Sequence, residues 1–245
     1  MDIVKPYQIK NAAMKNLMNS RAVSKNANDV VLISEHIRHV SKELFTLERK
    51  GWMFTILRDP IQRAVSMFHY LSKADWEVNY RPEWQNWTLM DYVNSNNCEN
   101  NYYTRMLTGK NQHHILLSQS DVDIAMSVLQ KRVLVGLLEH ISESVDRFAA
   151  YFGWFGSNRL TSNRGKDMKT KDKGTKQCLY QNLLAQPRNV NPVKYNQIEE
   201  NSMEWVALAK KNEFDLQLYK YAQILFQDQG NYFTKKNISG YNETD

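Results

Sequence analysis

Three short, unbroken apolar runs constrain this chain more than any other feature. They occupy residues 30–34, 52–57 and 133–138. A run of that length, rich in β-branched and aromatic side chains and ended by polar residues, reads as a strand buried on both faces. After the second run, Pro60 opens a helix with Ile61, Val65, Phe68 and Leu71 on one side; after the third, helical spacing spans 139–155. Buried strands alternating with helices predict an α/β fold, a parallel central sheet flanked by helices. Further helices are expected at 41–50 and 201–227, and a short amphipathic one around Ile9, Ala12, Ala13, Leu17 and Met18. The expected layout is a polar segment 1–29, one domain 30–228 with a basic loop at 156–178, and a flexible tail 229–245.

Charge narrows the function classes. The 245 residues carry 32 Lys and Arg against 26 Asp and Glu, a formal charge of +6. That excess favours an anionic partner: nucleic acid, a sulfated or carboxylated glycan, or a phosphate-bearing cofactor. The aromatics are scattered and no RNA- or DNA-binding signature is present, which disfavours nucleic acid. A hydrophobic content of 42% excludes wholesale disorder. No apolar run approaches the length of a membrane span, and the start through Pro6 lacks the apolar core of a signal peptide. Cys98 and Cys178 are too few for a disulfide scaffold or a zinc cluster; one disulfide or two idle thiols both fit.

The richest chemistry lies in residues 54–70. A buried strand ends at Arg58, Pro60 takes an early helical position where its missing N–H costs nothing, and Ser66 follows two turns in. In open α/β sheets ligands bind beyond the carboxyl ends of the strands, so Arg58 stands at the mouth of a crevice. Free N–H groups at the helix start, a guanidinium and a hydroxyl suit a phosphate. Arg58, Asp59 and Pro60 equally read as an ordinary helix start with a local ion pair, and the residues alone leave both readings open.

The block 56–70 closely resembles the 3′-phosphate-binding element of the Golgi carbohydrate sulfotransferases, of the heparan sulfate 2-O-, uronyl and galactose sulfotransferase type. Three more segments follow in the family's order. Asn101, Thr104, Arg105, Leu107 and Gly109 are similar to an Asn-x-x-Thr-Arg-x-Leu-x-Gly element. Residues 133–139 resemble a late strand, and Asn212, Asp215, Leu218, Tyr219 and Ala222 look like the closing helix. The resemblance covers most of 30–228. It implies a P-loop-NTPase-like sulfotransferase fold and transfer of a sulfuryl group from 3′-phosphoadenosine 5′-phosphosulfate to a carbohydrate hydroxyl, in the Golgi lumen, without a metal. Arg58 and Ser66 match the arginine and serine that hold the 3′-phosphate.

The same resemblance implies a histidine base just after the first apolar run. His36 occupies that place and His39 is the reserve; imidazole suits removal of an alcohol proton. By the same resemblance, Arg164 and Lys169 of the basic loop, which holds seven Lys and Arg over 159–176, add phosphate contacts, while Lys166 and Lys171 suit an anionic polysaccharide. His113 and His114 lack ligand spacing and read as structural or exposed. Tyr80, Arg81, Trp84, Trp87 and Arg105 are candidates for an acceptor groove, with packing the plainer reading of the aromatics. Sequons at Asn86, Asn237 and Asn242 agree with a lumenal site. The family's Pro-Lys-x-Gly-Ser/Thr loop for the 5′-phosphosulfate is missing: no glycine precedes Gly51. Two expectations follow. Either an upstream segment carries a membrane anchor, the sheet's first strand and that loop, or the chain binds nucleotide or anionic glycan without turnover.

Overall fold

The computed structural model describes residues 3–4, 31–32, 41, 45, 53–77, 80–112, 114–152 and 198–235. Its strands form two parallel pairs. Strand β1 (Ile3–Val4) pairs with β2 (Val31–Leu32), and β3 (Met53–Leu57) pairs with β4 (Val133–Leu137). The helices are α1 (Pro60–Leu71), α2 (Leu89–Asn94), α3 (Tyr102–Thr108), α4 (Gln119–Arg132), α5 (Ile141–Phe152), α6 (Met203–Lys211) and α7 (Glu213–Lys235), with 3₁₀ turns at Pro82–Asn86 and Leu138–His140. All three apolar runs thus contain strands. The described strands make two separate pairs, and a brief strand, β1, precedes the run at 30–34. The amphipathic helix around Ile9 to Met18 lies outside the described residues.

The β3–β4 pair is covered on both faces, which is the α/β arrangement. Side chains on a strand alternate between faces. On β4, Val133, Val135 and Leu137 join Leu107 of α3, Leu129 of α4 and Leu218, Ala222 and Phe226 of α7 in the larger core. Gly136 turns the other way, toward Ser144 and Phe148 of α5. On that face the Phe54 ring packs 4.8 Å from Phe148 and 5.4 Å from Phe152. A second core joins Ile61, Val65 and Phe68 of α1 to Tyr92 and Val93 of α2 and Leu208 of α6.

Gly136 sets how closely α5 approaches the sheet. A Cβ there would lie 2.7 Å from the Phe148 ring and 2.9 Å from Ser144 Cβ. Ser144 cannot withdraw cheaply, because its hydroxyl accepts from Leu137 N–H at 3.0 Å. Gly136→Ala is therefore expected to cost about 1–3 kcal/mol by overpacking, read as a lowered midpoint in urea unfolding.

Helix boundaries differ from the sequence expectation at three places. Phe45, inside the helix expected at 41–50, is neither helical nor buried. The single helix at 201–227 is two, broken at Asn212, whose side chain donates back to Leu208 C=O at 2.9 Å and accepts from Asn101 N–H at 3.1 Å. The C-terminal helix also runs on through Gly230 to Lys235, past the expected tail boundary. Gly230 is a gap rather than a stop: a Cβ there would fall 2.4 Å from Arg147 Nη2. The Arg147 guanidinium lies 3.7 Å from the Phe226 ring centroid and pairs with Glu143. No helix among the described residues is long and apolar enough to cross a membrane.

Candidate functional site

Because β3 and β4 are parallel and end in register, with Leu57 opposite Leu137, their carboxyl ends deliver two short segments to one edge. Arg58 and Asp59 leave β3; Leu138, Glu139 and His140 leave β4. The turn after β3 is fixed at each residue. Asp59, held extended by the proline that follows it (φ −46°, ψ 126°), caps α1 by accepting from Gln62 N–H at 2.8 Å. Pro60 fills the first helical position. Asp59 therefore serves as the cap of the helix that follows the strand.

Arg58 and Ser66 are both half-buried, and each interacts with its surroundings. At about 100° per residue, Ser66 lies on the side of α1 opposite Ile61, Val65 and Phe68. It sits one turn from Gln62 and Arg63 behind it and from His69 and Tyr70 ahead. Burial, then the Lys73 ammonium, push the His69 imidazole down from its ordinary range. Arg63 spans Glu99 and stacks 3.6 Å from the Tyr102 ring centroid. Burial alone would lower its pKa, and the Glu99 carboxylate more than offsets that.

The backbone of Arg58 has an unforeseen partner. The Tyr103 hydroxyl accepts from Arg58 N–H at 3.0 Å and donates to Arg58 C=O at 3.2 Å. Tyr103 is only 6% exposed, and burial pushes its phenol up to about 12. Tyr219 is pushed up as well, by burial and then by its hydrogen bond to Glu139, with Asp59 acting in the same direction. Burial likewise raises Tyr92. A phenol whose folded pKa exceeds its unfolded value stabilises the fold below the unfolded value and loses that contribution as pH rises through the folded one. For Tyr103 the window runs from its ordinary 10 to about 12. Stability is expected to fall across that window, and ultraviolet titration should show these phenols ionising only as the fold opens.

Helices α3 and α7 cap each other. Asn101, in the left-handed region at φ 50°, accepts through Oδ1 from Phe214 N–H at 3.0 Å and Asp215 N–H at 3.1 Å. In return the buried Asp215 carboxylate accepts from Tyr103 N–H and Thr104 N–H, both at 2.8 Å, and from the Thr104 hydroxyl at 2.7 Å. Burial pushes Asp215 up while those three donors pull it back. Arg105 is 6% exposed and donates to the carbonyls of Lys110, Gln112 and Ile115, so it organises the loop after α3. That corrects its reading as an acceptor-groove residue.

The other candidates divide by what is described. His36, His39, His113, Arg164, Lys166, Lys169, Lys171, Cys178 and the sequons at Asn237 and Asn242 lie outside the described residues. Arg81 and Asn86 are exposed, Tyr80 and Trp87 are half-buried, and Trp84 is buried. His114 is exposed. Cys98 is a buried free thiol, pushed up to about 11 by burial. A cavity of about 500 Å³ opens beside the end of β4 between α5 and α7, lined by Glu139, His140, Arg147 and Lys220 among others, with nothing from β3 or α1. Among the described residues no cluster of three or more His, Cys, Asp and Glu could hold a metal.

Tyr103, Asp215 and the Asn101–Asn212 pair escaped the sequence reading of the site. They are polar residues inside the segments 101–109 and 212–222, but nothing local says that those segments meet. No family model, curated protein or solved structure matches the chain.

Proposed function

We propose that this chain has a P-loop-NTPase-like sulfotransferase fold and moves a sulfuryl group from 3′-phosphoadenosine 5′-phosphosulfate to a hydroxyl of a carbohydrate, in the Golgi lumen. The observation that carries the reading is the junction after β3. Arg58 leaves the carboxyl end of a strand paired in parallel with β4, and a capped, proline-started helix follows with Ser66 half-buried two turns in. A guanidinium makes paired charge-assisted hydrogen bonds to a phosphate, and a serine hydroxyl adds one more. Together they would hold the 3′-phosphate, with Arg164 and Lys169 adding contacts from the basic loop.

In the reaction, His36 takes the proton of the acceptor hydroxyl as its oxygen bonds to sulfur. The bond from sulfur to the 5′-phosphate oxygen breaks, and adenosine 3′,5′-bisphosphate leaves. These residues contribute by positioning donor and acceptor, as in phosphoryl transfer. The test is transfer of labelled sulfate from the donor to a panel of polysaccharides. In protein that carries the 5′-phosphosulfate loop as well as these residues, transfer by the wild type and its loss in His36→Ala are expected. Binding of the nucleotide without transfer would contradict the enzymatic reading and identify a binding protein instead.

A further inference from the structure

We infer that Tyr103 is a positioning residue for the anion site: its hydroxyl locks the Arg58 peptide so that the guanidinium meets a 3′-phosphate already oriented. The inference rests on the reading of Arg58 as the phosphate anchor. The last rung between β3 and β4 is Leu57 opposite Leu137. One residue later the chain must leave the sheet, and a peptide at such an exit is free to rotate unless something holds it. A hydroxyl has one hydrogen and two lone pairs, so a single phenol can engage both polar groups of one residue. Tyr103 does so from 45 residues away, at 3.0 Å to N–H and 3.2 Å to C=O.

The phenol is itself held. Its backbone N–H donates to Asp215 at 2.8 Å, which ties the start of α3 to α7. Asp59 and Pro60 fix the residues after Arg58 through the cap and the ring. The constraints from α7 through α3 therefore converge on one residue, Arg58, through the two peptides that flank it. A flexible guanidinium pays for its contacts in lost freedom, and a fixed base reduces that cost. An error of about 1 Å in a reacting or binding group can lower a rate by about a hundredfold.

The test compares affinities for adenosine 3′,5′-bisphosphate and adenosine 5′-monophosphate, whose ratio isolates the 3′-phosphate. The wild type is expected to prefer the bisphosphate by about a hundredfold. Tyr103→Phe, which keeps the ring, should reduce that preference to about tenfold or less and leave the monophosphate affinity nearly unchanged. An unchanged ratio, or both affinities falling in parallel as for a purely structural residue, overturns the positioning role. A wild type that does not distinguish the nucleotides contradicts the phosphate reading itself, and this inference with it. Should Tyr103→Phe not fold, amide hydrogen exchange of the wild type decides. The bisphosphate is expected to slow exchange at Arg58 N–H more than the monophosphate does, because a ligand that needs the locked peptide stabilises the lock. Equal exchange with the two nucleotides overturns the proposal.

Discussion

Arg58→Ala is expected to weaken binding of adenosine 3′,5′-bisphosphate by about a hundredfold while changing the melting temperature little. Hydrogen bonds to a charged group contribute about 1.5–3 kcal/mol, and each 1.4 kcal/mol is about tenfold in affinity. The fold should tolerate the change. Both polar groups of the Arg58 backbone are bonded to Tyr103, and alanine presents the same peptide. Arg58 is half-buried and has further interactions, and partly exposed charge contacts contribute about 0–1 kcal/mol. Calorimetric titration read beside a thermal melt separates the two effects. Equal affinity in both proteins would refute the anchor; a large loss of stability would show that Arg58 holds the turn rather than a ligand.

Asp215→Ala should do the opposite, damaging the fold first. The carboxylate is 1% exposed and takes three donors from the first turn of α3. Alanine leaves two backbone N–H groups and a hydroxyl without that acceptor in a dry site, at about 1–3 kcal/mol for each unsatisfied group. The terms do not simply add, and a total of about 3–5 kcal/mol is expected. In a chain of this size that lowers the melting temperature by about 10 °C. Thr104→Val removes only the hydroxyl and should cost about 1 kcal/mol, which gives an internal scale. A melt unchanged by Asp215→Ala would mean that the two helices do not depend on their mutual caps.

The junction after β3 was legible because its signals are local. An apolar run names the strand, proline names the helix start, and the helical spacing of Ile61, Val65 and Phe68 names the buried face that the second core confirms. The α/β arrangement followed from the same runs, since strands apolar on both faces need helices on both sides. What stayed hidden depends on contacts between distant residues. Asn101 meets Asn212 across 111 positions, and no periodicity carries that information, so the break between α6 and α7 was read as continuous helix. Arg105 was misread for a related reason. A lone arginine looks ready for an anion until Asn100 is seen to take Nε and Nη2 and the carbonyls of the following loop to take Nη1. Gly230 leaves room for Arg147 to cross α7. The brief strand Ile3–Val4 has too few residues to show any pattern of its own.

The most direct test is a crystal of the protein soaked with adenosine 3′,5′-bisphosphate. The account places the 3′-phosphate within hydrogen-bonding distance of the Arg58 guanidinium and the Ser66 hydroxyl, with the Tyr103 clamp on the Arg58 peptide intact. A nucleotide seated elsewhere, or a 3′-phosphate held by other side chains while Arg58 and Ser66 point away, would contradict it.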